Sequence, residues 1–115
     1  IYTKYFTRLS RVPGIQLQKL SPHSVVPFIM CIRVKADVRE GLVRFLGSKG
    51  IETGLHWRPG HTFTLYRECI SGPLDVTNTI ANQIISLPFF PELSDTTLNE
   101  ICDNILEYMK YDSNI

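Results

Sequence analysis

Four side chains capable of binding chemistry lie close together near the middle of the chain: His56, Trp57, Arg58 and His61. An imidazole can donate a hydrogen bond to a hydroxyl or phosphate oxygen, and a guanidinium can pair with an anionic diphosphate. An indole offers a flat apolar face on which a sugar ring can pack. These four residues are the candidate substrate-binding residues of the chain, ranked His56 first, Trp57 second and His61 third, although residue type alone favours a structural role for His56 and Trp57.

Plainer interpretations of the same side chains stay open. Trp57 can pack under the loop while His56 bonds to backbone, His61 can close the Pro-Gly turn before it, and a surface arginine is usually only solvated. A zinc site from His56, His61 and Cys69 is conceivable by residue type, but the spacing matches no standard pattern. A hydrolase built on His56 and His61 is a weak alternative, because the sequence places no carboxylate to orient either histidine and contains no nucleophile elbow. We accordingly predict neither a metal site nor a catalytic residue.

The four residues belong to a segment, Gly50 to Tyr66, that cannot be a regular helix because Pro59 is followed by Gly60. The sequence predicts a short strand over Ile51 to Trp57 that runs into a stiffened loop. Loops that carry His, Trp and Arg on a rigid scaffold are common sites of function.

The elements before this segment are predicted from hydrophobic periodicity. The apolar run Val25 to Val34 predicts a buried strand, paired from about Phe28 onward because Pro27 cannot donate to the ladder. A helix is expected to open at Asp37 with a capping box to Glu40, and Gly50 is expected to end it in the left-handed conformation. A helix over Ile1 to Leu9 and an extended linker or short edge strand over Ile15 to His23 precede them.

The elements after it alternate in the same way. The pattern predicts a helical turn over Leu65 to Cys69, a helix near Val76 to Asn82 and a strand over Ile84 to Leu87. A last helix, Asp95 to Tyr108, is expected to be capped by Ser94, with fraying over Tyr111 to Ile115. Three short strands covered by amphipathic helices predict an α/β two-layer sandwich.

Composition narrows the class of protein. The 115 residues suit one domain. The 12 Lys and Arg against 11 Asp and Glu give a net charge of +1, which provides no positively charged surface for binding nucleic acid or an anionic membrane. Apolar runs are too short to span a bilayer. Cys31, Cys69 and Cys102 are expected to be buried thiols in a reducing cytoplasm. The chain begins without methionine, in amphipathic material, and we expect it to be a piece of something longer.

Three blocks resemble the C-terminal domain of the DegT/DnrJ/EryC1/StrS family of sugar aminotransferases, which use pyridoxal phosphate. The run from Gly50 to His61 is similar to the family's GI-x-T-G-x-H-Y-x-P-x-H pattern. Ser86 to Asp95 resembles its closing SLP-x-x-P-x-L-(S/T)-(D/E) segment, and Tyr2 to Leu9 resembles the helix that leads into the small domain. Together these blocks cover nearly the whole chain in the right order.

The resemblance implies amino-group transfer to a keto-sugar attached to a nucleotide, within amino-sugar, lipopolysaccharide or surface polysaccharide biosynthesis, by a fold-type-I dimer with interfacial active sites. It implies that residues 1–14 end a connecting helix from a large domain and that residues 15–115 form the small domain. The family's Schiff-base lysine and cofactor-binding residues lie in that large domain. We expect no pyridoxal phosphate bound to this chain alone, and no transamination by it.

A different class of function stays open, a standalone module that binds a partner or a nucleotide-sugar without catalysis. Tyr2, Tyr5 and Phe6 place three aromatic rings on the first helix with little chain nearby to cover them. We expect this end to be sticky and to drive a homodimer or a partner contact.

Overall fold

A computed structural model describes residues 1–21 and 24–112, and of Tyr111 and Asp112 the backbone alone. The helices are α1 (Tyr2–Leu9), α2 (Ala36–Ser48), α3 (Asp75–Ala81) and α4 (Asp95–Asp112). The strands are β1 (Gln16–Leu17), β2 (Met30–Arg33) and β3 (Ile84–Leu87), with 3₁₀ turns at Gly60–Thr62 and Thr64–Tyr66. Pro22, His23 and the expected fraying of residues 113–115 lie outside the described residues.

The three strands form one antiparallel sheet in the order β1-β2-β3. Alternate residues of β2, Met30 and Ile32, are buried against the helices, while Cys31 and Arg33 on the other face are half-buried. Helices α2 and α4 pack on each other, α2 also contacts β3, and α1 packs on α4. The predicted α/β two-layer sandwich is confirmed.

The third strand is not the one that the sequence predicted. The segment Ile51 to Trp57 makes only an isolated bridge, in which the Gly54 N–H donates to Ser86 O (2.9 Å) and the Ser86 N–H donates to Gly54 O (2.8 Å). The Ile51 N–H is already committed to Leu46 O at the end of α2, so pairing cannot start there. The sheet is completed instead by Gln16–Leu17, the short edge strand expected within Ile15 to His23.

The N-terminal half of the predicted buried strand was also wrong. β2 begins only at Met30, and the preceding Val26 and Phe28 are 93% and 73% exposed. The predicted capping box at Asp37 was wrong as well, because the helix begins one residue earlier. Asp37 therefore lies inside the first turn, and the N-cap is Lys35, whose side chain makes no capping hydrogen bond.

The last three expected elements are confirmed with small shifts. α3 and β3 occupy the predicted positions, and α4 extends to Asp112. Ser94 caps α4, since its Oγ accepts a hydrogen bond from the Thr97 N–H at 3.1 Å. The helical turn predicted over Leu65 to Cys69 is a 3₁₀ turn at Thr64–Tyr66.

Two expectations about burial were wrong. Tyr5 is not an exposed ring on α1, because it is completely buried and its hydroxyl donates to Pro88 O at 2.9 Å. Of the three cysteines only Cys102 is fully buried; Cys31 is half-buried and Cys69 is exposed. α1 thus contributes to the core through one face, which buries Tyr5 and Leu9.

The end of α2 is a complete left-handed cap. Gly50 has φ +75°, its N–H donates to Gly47 O at 3.0 Å, and the Ile51 N–H donates to Leu46 O at 2.9 Å. These are the two hydrogen bonds of a Schellman motif. They fix the direction in which the chain enters the segment Gly50 to Tyr66, which we call the central segment.

Gly50→Ala should lower the free energy of unfolding by about 1 kcal/mol, because a side chain at positive φ is strained. The matched control is Gly47→Ala in the same helix. An added Cβ there meets nothing within 4 Å, so better helix propensity should raise the stability by up to about 1 kcal/mol. Urea unfolding followed by circular dichroism measures both, and a Gly50→Ala variant as stable as the parent would contradict this account of the cap.

Candidate functional site

The central segment crosses the open edge of β3 and carries the predicted site residues outward. The bridge between Gly54 and Ser86 fixes it against the sheet, and His56 and Trp57 follow immediately. The peptide bond between these two residues is cis. Both side chains are exposed, Trp57 to 64%.

His56 and Trp57 lie together, as the sequence suggested. The imidazole meets the indole edge-on, with ring centroids 5.7 Å apart and an interplanar angle of 82°. Trp57 also contacts Phe28, at 6.1 Å between centroids and a tilt of 35°. The result is an exposed row of three rings, with His56 supplying the polar atoms. Trp57 is not packed under the loop, so the plainer interpretation of this residue does not hold.

Phe28 is a site neighbour that sequence reasoning missed. It was assigned to a buried strand, because its apolar run shows the β-branched and aromatic content of a sheet core. No local signal argued otherwise, because Pro27 removes only its own N–H donor and leaves Phe28 able to pair.

His61 and Arg58 do not join this pair in a common cluster. The His61 Nε2 lies 2.8 Å from Asn78 Oδ1, which ties the first 3₁₀ turn to α3. This bond gives His61 a structural role, one of the two that the sequence left open. Arg58 is exposed, and within residues 1–21 and 24–112 it forms no ion pair. Its guanidinium is therefore accessible to an external anion.

An open depression of about 710 Å³ lies beside His56, between the central segment and the start of α4. Its floor is apolar, formed in part by the buried Leu93 and Ile101, and Glu52 and Thr97 contribute to its polar lining. The volume falls in the range of small-molecule sites, which combine an apolar lining with a few polar groups. Ser86 also lines it, at the position where β3 bridges to Gly54.

Close packing makes Gly54 a positioning residue for His56. A Cβ on Gly54 would lie 2.5 Å from His56 Cε1, closer than such atoms approach, and 3.0 Å from Nδ1, which is a tight contact. The imidazole therefore lies directly on the glycine backbone, and any side chain here must push the ring away.

Gly54→Ala should displace the His56 ring from the Trp57 edge with little loss of stability, because φ at Gly54 is not positive and the ring is exposed. Proton NMR of the His56 Hε1 resonance reports its position beside the indole. Gly60→Ala is the matched control, since an added Cβ there meets nothing within 4 Å. An unchanged His56 resonance in the Gly54→Ala variant would show that the glycine does not set the ring position.

Metal and Schiff-base chemistry find little support in the described residues. Residues 1–21 and 24–112 contain no group of three or more His, Cys, Asp or Glu side chains that could hold a metal ion. A Schiff-base lysine needs a desolvated pocket that lowers its pKa. The lysines of this chain do not fit that requirement, because all five are exposed: Lys4, Lys19, Lys35, Lys49 and Lys110.

Two lysines have partners typical of a surface. Lys4 pairs with Asp95, and the Lys49 Nζ lies 5.2 Å from the centre of the Phe45 ring.

In the part of the chain that the structure describes, no helix is both long and apolar enough to cross a membrane.

Solved structures share this fold over nearly the whole chain. TlmJ, an aminotransferase from Streptoalloteichus hindustanus, superposes with a TM-score of 0.86 at 22% identity, covering 96% of this chain and 30% of that one. NtdA from Bacillus subtilis, solved with bound cofactor PMP, gives 0.84 at 20% identity, covering 95% and 27%. The sugar aminotransferase CalS13 from Micromonospora echinospora gives 0.81 at 16% identity, covering 92% and 28%.

The chain therefore spans about 30% of the length of the structures that it matches. The model of the DegT/DnrJ/EryC1/StrS aminotransferase family matches residues 1–106. With nearly the whole sequence matched, this chain belongs to the DegT/DnrJ/EryC1/StrS aminotransferase family.

Proposed function

We propose that this chain is the C-terminal small domain of a pyridoxal-phosphate-dependent aminotransferase that acts on nucleotide-linked keto-sugars, and that it is not catalytic alone. One relation carries the proposal: the family match covers residues 1–106, yet the chain spans only about 30% of the solved family structures that share its fold. The remaining two-thirds of such a protein would be the large domain, with residues 1–14 as the end of the connecting helix.

The exposed lysines are consistent with this division of labour. Amino-group transfer in the family depends on a cofactor that acts as an electron sink and on a lysine that binds it covalently. No lysine of this chain fits that task, so the missing large domain would supply both the lysine and the cofactor site. The contribution of this chain is then to bind and orient the sugar.

His56 and Trp57 are the residues that we assign to the sugar. The exposed indole offers a face for the pyranose, and the imidazole beside it can donate to a hydroxyl or phosphate oxygen. Tryptophan stands where the family has tyrosine, and its N–H only donates, so any contact that needs an acceptor must come from another group. Arg58 is available to the diphosphate, whereas His61 holds the loop through Asn78.

The test uses the full-length protein with an amino donor such as glutamate and a nucleotide-linked keto-sugar. Trp57→Ala and His56→Ala should each lower kcat/KM by about 10-fold or more, because each removes a sugar contact worth about 1.4 kcal/mol. Cofactor absorbance should be unchanged. Arg44→Ala, an exposed arginine of α2, is the control and should keep full activity. If both site variants match Arg44→Ala, the assignment of these residues to the sugar is wrong.

The second candidate is a standalone module that binds a nucleotide-sugar without catalysis, and the depression beside His56 is the observation that favours it. Trp57 is the only tryptophan, so its fluorescence reports binding to the 115-residue chain without labels. Saturable quenching by a nucleotide-sugar at micromolar concentrations would favour this candidate. A flat titration would leave the small-domain proposal as the sole explanation.

A further inference from the structure

A second cavity, with positively charged residues in its lining, lies where the chain leaves α1 and where β2 ends. We call it the cationic cleft. Its volume is about 430 Å³, and it is lined by residues 10–16, by residues 33–35 and by Gln83, which directly precedes β3. It shares no lining residue with the depression beside His56, so the two cavities are built from different parts of the chain.

Three cations and no anion line the cationic cleft. Arg11, Arg33 and Lys35 contribute to it, and none of its described lining residues is an Asp or a Glu. Within residues 1–21 and 24–112, none of the three forms an ion pair. The net charge of the whole chain, +1, gives no sign of this local concentration. Like charges held close together repel one another, and an anion bound among them would relieve that repulsion.

Arg33 is held in a position that suits an anion. Its backbone pairs with Gln16 on one side and with Ile84 on the other, and its side chain is half-buried. The Arg33 Nε–H donates to Gln83 Oε1, which fixes the plane of the guanidinium. In the part of the chain that the structure describes, neither Nη group of Arg33 has a hydrogen-bond partner. Their N–H donors can therefore bind two oxygens of one phosphate group.

The rest of the lining has room for more than an inorganic anion. A volume of 430 Å³ lies in the range of small-molecule sites, about 300–1,000 Å³, and is much larger than a single phosphate ion. Val12 and Pro13 add apolar surface that water can reach, and the Ser10 hydroxyl can donate to a phosphate oxygen. These features suit a phosphate group that carries a small organic part.

We propose that the cationic cleft binds a phosphate monoester of a small organic molecule. Arg33 is the bidentate partner of the phosphate, and Arg11 and Lys35 supply further positive charge. The organic part of the ester packs on Val12 and Pro13. The proposal rests on the charge and shape of the cleft, and it does not depend on the proposed aminotransferase function.

Isothermal titration calorimetry of the 115-residue chain at low ionic strength tests this proposal, with phenyl phosphate and inorganic phosphate as the two probes. We expect one site for phenyl phosphate with a Kd of about 1 mM or tighter, and binding of inorganic phosphate that is about 10-fold weaker. Added salt should weaken both. The Arg33 Nε–H resonance in a ¹H–¹⁵N spectrum should shift as the site fills, which places the ligand in the cleft.

The double variant Arg11→Gln with Lys35→Gln should weaken phenyl phosphate binding by at least about 10-fold, because two of the three charges are lost. Both residues are exposed, so folding should be unaffected, which circular dichroism checks. Arg44→Gln with Arg67→Gln is the matched control, because it removes two exposed cations that do not line the cleft. It should leave the affinity unchanged.

Several results would overturn the proposal. They are a titration with no saturable binding, equal affinity for the two probes, equal losses in the two double variants, and tighter binding of an aspartate-rich peptide, which would assign the cleft to an acidic protein partner. Where a large domain precedes Ile1, the full-length protein should bind phenyl phosphate as the 115-residue chain does. Loss of binding there would show that the large domain covers the cleft. Each of these results leaves the aminotransferase proposal intact, because that proposal is tested by activity.

Discussion

Tyr5→Ala should lower the free energy of unfolding by about 3–5 kcal/mol, the range for removing a large buried aromatic ring. Tyr5 is fully buried, and its hydroxyl reaches Pro88 O at 2.9 Å, across to the segment between β3 and α4. Loss of the ring would leave a cavity among the core residues that α1 shares with α4. Such a loss is a large share of the total stability of a domain this small.

Two further variants separate the contributions to this effect. Tyr5→Phe keeps the ring and removes the hydrogen bond, and should cost about 1 kcal/mol. Phe6→Ala removes a neighbouring ring that is only half-buried, and should cost less than half as much as Tyr5→Ala. Guanidinium unfolding at equilibrium measures all three. Equal and small losses for Tyr5→Ala and Phe6→Ala would mean that α1 is not part of the folded core.

The free energy of unfolding should fall as the pH rises from about 9 to 11. Burial raises the pKa of the Cys102 thiol from 9.0 to about 11, against the opposing effect of the Arg8 guanidinium. In this window the unfolded chain releases a proton that the folded chain retains, so rising pH favours unfolding. A gap of this size is worth roughly 2 kcal/mol by pH 11. Burial also raises the pKa of the Tyr5 hydroxyl, which acts in the same direction.

The contribution of Cys102 is isolated by comparing variants, because the buried Tyr5 hydroxyl acts in the same direction. Cys102→Ala should show a shallower loss of stability between pH 9 and 11 than the parent. Cys69→Ser should keep the parent's slope, since Cys69 is exposed. Urea unfolding under reducing conditions at several pH values gives these slopes. Identical slopes for Cys102→Ala and the parent would exclude the buried thiol as their cause.

The parts of the fold that sequence reasoning predicted well are those fixed by local signals. The α4 periodicity, the Ser94 cap and the left-handed Gly50 each depend on a few neighbouring residues. The family resemblance also depended on local motifs, and the match over residues 1–106 confirms it.

The errors came where distant contacts decide the outcome. The sequence left Gln16–Leu17 open between a linker and a short edge strand, and only its pairing with β2 decides for the strand. Ile51 to Trp57 has the composition of a strand, but it makes only one bridge, between Gly54 and Ser86. The cap at the end of α2 already uses the Ile51 N–H, so pairing cannot begin at that residue. Tyr5 is buried because its ring packs in the core, and Pro88 O, 83 residues away in the chain, accepts a hydrogen bond from its hydroxyl.

The candidate site shows the same division. His56 and Trp57 were chosen as candidates because of the family resemblance, and the structure places their rings in contact. Phe28 and Asn78 were missed because each reaches the segment from a remote part of the chain. The role of Gly54 was missed because the His56 ring occupies the space that a Cβ on Gly54 would need, which the sequence does not show.

The small-domain proposal is tested most directly by the reading frame immediately upstream of the Ile1 codon in the source DNA, together with the absorbance of its product. We predict an open frame that encodes a cofactor-binding domain with a Schiff-base lysine, and a full-length protein that turns yellow with pyridoxal phosphate. A stop codon followed by a fresh start close to Ile1 would contradict it, and the chain would then be a free-standing binding module.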